Sequence, residues 1–78
     1  MEIFDRIAEI VSELSSIEFI SPEQNLQTDL GFDSLQMVTL LMMLEENFNI
    51  VLDESDMNPF DLVTVRQIVD LVGKYREG

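Results

Sequence analysis

The sequence contains no cysteine. No disulfide can staple it and no thiolate can hold a metal, so apolar packing alone must stabilise the fold. It contains no histidine either, which removes the commonest general base and the commonest metal ligand. A Ser-His-Asp triad is therefore impossible within the chain, and chemistry at any of its serines must be done by another protein. Bases are scarce: 4 lysines and arginines stand against 16 acids, for a formal charge of −12. Nucleic acid and anionic membrane surfaces repel such a chain, whereas basic protein surfaces attract it quickly and in a salt-sensitive way. Long apolar runs are missing. The longest, Met37 to Leu44, is interrupted by Thr39 and falls far short of the ~20 residues that span a bilayer. The opening segment MEIFDRIAEI is amphipathic and acidic, unlike a basic stretch followed by an apolar one, so no targeting segment is expected and the cytoplasm is the expected compartment.

What is present fits one small domain over residues 1–78 with a thin core. Helical periodicity predicts a first helix from about Glu2 to Leu14, with Phe4, Ile7, Val11 and Leu14 on its apolar stripe and Ile3 and Ile10 beside it. A long connection follows, from about Ser15 to Phe32. Ile17, Phe19, Ile20, Leu26 and Leu30 are spaced through it, which predicts a loop packed onto the core. The second helix is expected from Ser34 to Asn47 or Phe48. Asp33 serves as its N-cap, and Gln36 completes a capping box. Phe32 and Met37 are placed to form a hydrophobic staple, and Gly31 permits the sharp entry. Asn47 and Asn49 suggest a frayed exit. A short helix is expected around Glu54 to Asn58, cut off by Pro59. The last helix starts at Thr64 as N-cap and runs to about Tyr75, with Val65, Ile68, Val69 and Val72 inward, and Gly73 marking early fraying. No stretch alternates as a strand does. The expected fold is all-α: a small four-helix bundle, three main helices and one short one, with a long first loop.

The informative segment is DLGFDSL, Asp29 to Leu35. It places the Ser34 hydroxyl at the first position of a helix, beside an acid and after a glycine turn. A helix N-terminus offers free amides and partial positive charge, so a phosphate attached there is well tolerated, yet nothing in the segment activates the hydroxyl. An Asp-Ser pair alone is also what ordinary helix starts look like.

The larger pattern is more specific. DLGFDSL, LLMMLEENFNI directly after it and VTVRQIVDLV near the end together resemble the acyl and peptidyl carrier proteins. Asp29, Leu30, Gly31, Asp33, Ser34, Leu35, Glu45, Glu46, Phe48, Thr64 and Val65 match at that pattern's positions. The resemblance implies a carrier domain that catalyses nothing itself. A phosphopantetheinyl transferase would move 4'-phosphopantetheine from coenzyme A onto Ser34, flanked by Asp33 and Leu35. The arm's thiol would then hold an acyl group as a thioester. Partners would be that transferase and the acyl-loading and acyl-transferring enzymes, with basic surfaces, and the carrier is expected to act as a monomer without nucleic acid, membrane or metal. The second helix is the family's main recognition surface, which nominates Asp29, Gln36, Met37, Thr39, Met42, Glu45 and Glu46.

Gln36 and Thr39 stand where acids are frequent in the fatty-acid type. That departure points to a specialised polyketide or related pathway, with primary fatty acid synthesis, an aminoacyl or peptidyl carrier, or an unmodified helical interaction module as alternatives. Residue patterning leaves Met37, Met42 and Met43 open between core and surface. Leu35, Val38, Leu41 and Phe48, helped by Leu44 and Ile50, are taken as the core set, with Met37 and Met42 toward solvent. The acidic stretch after Leu52 is no calcium loop: counted from Asp53, an EF-hand's glycine falls on Asn58 and its glutamate on Thr64.

Overall fold

A computed structural model describes residues 3–58 and 61–77. Glu2 and Pro59, expected respectively in the first helix and at the end of the short one, lie outside the described residues. Among the described residues three α-helices enclose one core: α1 (Ile3–Ser15), α2 (Ser34–Phe48) and α3 (Val65–Glu77), with a 3-10 turn at Glu54–Asp56 between the last two. Among the described residues there is no strand, only one isolated antiparallel bridge between Asn25 and Thr64. The fold is the expected all-α bundle.

Helix α1 buries Ile7, Ile10 and Val11, while Phe4 and Leu14 pack at the margin. Helix α3 turns Val65, Ile68, Leu71 and Val72 inward. Val69 is at the margin, and Leu71 takes a core place that the expected stripe omitted. Gly73 does not end α3, which continues to Glu77. The short helix is briefer than expected. Asp56 N–H and Met57 N–H bond to the carbonyls three residues back, and Met57 then leaves helical geometry.

The largest correction concerns α2. Its buried face is Met37, Leu40, Leu41 and Leu44. Leu35 and Val38, taken as core, are 74% and 46% exposed, and Phe48 and Ile50 are only partly buried. Met37, placed toward solvent, is 0% exposed. Apolar residues almost encircle this helix, so composition does not set its phase. The N-terminus does: Phe32 at N′ and Met37 at N4 are both buried, as a hydrophobic staple requires. Met37, Leu40, Leu41 and Leu44 then follow at helical spacing.

The exit of α2 is ordered rather than frayed. Asn49 adopts the left-handed conformation (φ 54°), and the N–H groups of Asn49 and Ile50 both donate to the Glu45 carbonyl. Asn47 donates to the Met43 carbonyl and accepts from the Arg6 guanidinium at 2.8 Å, which ties α2 to α1.

The long loop lies on the core, as its apolar spacing implied. Leu26, Leu30 and Phe32 are buried; Phe19 departs from this at 84% exposed. The loop is joined to the start of α3 by backbone pairs: Leu26 N–H to Val63 C=O, Val65 N–H to Gln24 C=O, and Arg66 N–H to Pro22 C=O. An ion pair between Arg66 and Glu23 reinforces the junction.

Candidate functional site

The approach to α2 is built residue by residue. The Asn25 side chain accepts from the N–H groups of Gln27 and Thr28, and the Asp29 carboxylate accepts from Asn25 N–H at 2.8 Å. Backbone bonds from Asp29 and Leu30 to Asn25 and from Gly31 to Gln27 close the turn. Gly31 ends it at φ +72°, a conformation that a side chain would strain. Asp33 then caps α2: its carboxylate accepts from Gln36 N–H at 2.8 Å, and Gln36 Oε1 accepts from Asp33 N–H at 3.4 Å.

Ser34 is the first residue of this capped helix and is exposed. No partner engages its hydroxyl among the described residues. The first-turn amides of Ser34 and Leu35 lie outside the capping bonds, which satisfy Gln36 and Met37. An anion on the Ser34 oxygen would thus sit at the positive end of a fifteen-residue helix dipole. The cap fixes the position of the oxygen, but no general base accompanies it. The site suits a covalently attached phosphodiester and does not suit self-catalysed attachment.

The nominated recognition residues divide into free and engaged groups. Met42 (59% exposed) and Glu46 present themselves to solvent. Asp29 is exposed, yet its carboxylate holds the loop turn. Glu45 accepts from Leu52 N–H at 2.9 Å and so shapes the segment after α2. Thr39 donates to the Leu35 carbonyl at 3.0 Å. Gln36 bonds to the Leu14 carbonyl of α1 at 3.2 Å. Met37 belongs to the core and offers a partner nothing.

An exposed apolar surface replaces Met37, and of its residues the sequence reading places only Met42 toward solvent. Leu35, Val38 and Met42 form an exposed apolar stripe on α2 starting next to Ser34, and Val51 beyond the helix is 84% exposed. Met42, Glu45, Glu46, Ile50 and Val51 line a shallow groove of about 480 Å³ at its far end. The signal was present in the staple: once Met37 points inward, Leu35, Val38 and Met42 must point outward.

Beyond the groove, Tyr75 of α3 clasps the 3-10 turn. Its hydroxyl donates to Asp56 at 2.5 Å and accepts from Asp53 N–H at 2.7 Å, while Lys74 pairs with Asp56 at 3.1 Å. The Tyr75 hydroxyl, aided by Lys74, holds the Asp56 carboxyl below its ordinary range. Among the described residues no group of three candidate metal ligands converges, and no helix is long and apolar enough to cross a membrane.

A family model described as the phosphopantetheine attachment site matches residues 5–72. An acyl carrier protein of Cyanidioschyzon merolae is 35% identical over 97% of this chain and 84% of its own length. One of Syntrophobacter fumaroxidans is 37% identical over 88% of this chain and 85% of its own. The crystal structure of an acyl carrier protein from Thermotoga maritima superposes with a TM-score of 0.79 at 26% identity, covering 96% of this chain and 87% of that one.

Proposed function

The chain belongs to the acyl carrier protein family, whose domains bear the phosphopantetheine attachment site, and from that premise we propose that Ser34 takes the arm. When bound, the 4'-phosphopantetheine group supplies the thiol on which an acyl group is held as a thioester. The chain itself is a carrier and not an enzyme. The observation that carries the assignment is the exposed, unengaged Ser34 hydroxyl at the first position of a capped helix, with two first-turn amides outside the cap. Asp33 fixes the turn and Leu35 supplies an apolar neighbour that a transferase can read. The other serines lack this setting: Ser21 accepts from Glu23 N–H within the loop, and Ser55 lies in the 3-10 turn bonded to Asp53.

Incubation with coenzyme A and a broad-specificity phosphopantetheinyl transferase should add one arm to the wild type and none to Ser34→Ala, by intact mass. An arm on Ser34→Ala would remove the assignment. Absence of the arm on both chains would favour an unmodified interaction module.

The apolar stripe of Leu35, Val38 and Met42, flanked by Glu45 and Glu46, suits partner enzymes that pair a basic rim with an apolar patch. The neutral Gln36 and Thr39 support service to a specialised polyketide or related pathway. Acyl transfer rates with fatty acid synthase enzymes and with a dedicated partner set would test this. Equal rates with both sets would remove the specialised assignment and leave the carrier function intact.

A further inference from the structure

Gln36 performs a task that an acid in its place could not. Its backbone N–H and side-chain Oε1 close the capping box with Asp33. Its Nε2 group donates to the Leu14 carbonyl at 3.2 Å, across 22 residues of sequence. Leu14 lies in the last turn of α1, where carbonyls have no partner within their own helix. The side chain is half-buried between the two helix ends. One carboxamide thus joins the cap of α2 to the open end of α1, using its acceptor for the first and its donor for the second.

We propose that Gln36 is a positioning residue for Ser34. Its amide braces the first turn of α2 against the last turn of α1 and fixes where the serine, two residues earlier, stands on the bundle. The proposal rests on Ser34 as the attachment residue and adds a reason for the neutral side chain beside it. Glutamate would keep the acceptor that the box needs. It would also set a carboxylate against a carbonyl oxygen and undo the brace. The amide at 36 thus has a task in this chain's own packing, beside the bearing on partner choice that it shares with Thr39.

The test uses the full chain and the variants Gln36→Glu and Gln36→Ala. Amide exchange in the unmodified protein separates brace from cap. In Gln36→Glu the Asp33 N–H, bonded to the side-chain oxygen at 36, should keep its protection. Ser16 N–H, bonded to the Ser12 carbonyl at 2.9 Å, should exchange about fivefold faster, the scale of one hydrogen bond. In Gln36→Ala both regions should loosen. For arm transfer onto Ser34, kcat should fall about fivefold in each variant. KM for Gln36→Glu should not rise, because an added acid does not weaken attraction to a basic enzyme. Unchanged Ser16 exchange overturns the brace, and unchanged kcat in Gln36→Glu overturns the positioning role. A wild-type chain that accepts no arm overturns the Ser34 assignment, while the exchange measurement still decides the brace.

Discussion

The two sides of α2 are made of the same residue types and meet opposite fates. Met37, Leu40, Leu41 and Leu44 are buried, while Leu35, Val38 and Met42 face solvent. Hydrophobicity does not distinguish them. What does is the rotation of the helix about its axis, which is set at one point, the junction of Phe32, Asp33, Gln36 and Met37. Asp33 and Gln36 fix where helical geometry begins, and Phe32 with Met37 fixes which side of it turns inward. The fold uses one apolar face for stability, and the other remains available for a partner.

The largest effect that could break this comparison is on the buried face. Met37→Ala or Leu40→Ala should cost about 2–5 kcal/mol, through lost transfer energy and a cavity that the small core cannot fully close. Urea denaturation measures it. A cost below about 1 kcal/mol would mean that Met37 is not the anchor of the helix phase.

The exposed face should respond in the opposite way. Met42→Ala is expected to leave stability within about 0.5 kcal/mol of wild type. Transfer to a cognate acyl enzyme should weaken by about 2 kcal/mol, as truncation of an interface anchor does. Glu46→Gln should cost less, and its effect should fade with salt, whereas that of Met42→Ala should persist. Acyl transfer rates at two salt concentrations separate the two. A Met42→Ala chain that melts early but transfers normally would invert the assignment of faces.

Much of this was legible in the residues. The start of α2 at Ser34, its Asp33 cap and the Gln36 box follow from local chemistry spanning four positions, and local chemistry is what a sequence displays. The α1 and α3 stripes were legible because polar residues occupy their other sides. On α2 polar residues such as Thr39 and Glu46 mark the outside, too few to separate the spacing of Leu35, Val38 and Leu41 from that of Met37, Leu40 and Leu44. The staple would have decided between them, since it required Met37 inward. Phe19 misled for a related reason: its apolarity implied burial, yet it is 84% exposed. The bond from Gln36 to Leu14 and the Tyr75 clasp were not legible, because each joins groups distant in sequence through a single polar contact.

A smaller effect is expected at the hinge of the comparison itself. Asp33→Ala should cost about 1 kcal/mol, the usual consequence of losing a cap. Because the cap sets the phase for both faces, the variant should also slow arm transfer to Ser34. Thermal melting and transfer kinetics read the two consequences separately.

The smallest effect serves as a control outside α2. Asp56 is held below its ordinary range first by the Tyr75 hydroxyl and then by Lys74. Its folded carboxylate is therefore favoured. The stability it contributes is present above the unfolded carboxyl value near pH 3.9 and is lost as pH falls through the lower folded value. Tyr75→Phe should make stability fall less steeply with pH below about 4, with α2 unaffected. Titration of the melting temperature checks this. An identical acid response in wild type and variant would show that the clasp contributes nothing.

The bonds joining residues 22–26 to residues 63–66 also set a schedule. The turn that delivers Gly31 and Asp33 to α2 leans on a segment near the far end of the chain. During synthesis the loop is made before Val63 to Arg66 are, and until they emerge its backbone groups lack these partners. The Asp33 cap can form early, since its partners are neighbours. The frame that holds the loop against the bundle cannot. Ser34 in its final setting is therefore a property of the finished chain, and a growing one gives a transferase a serine without the surroundings described here.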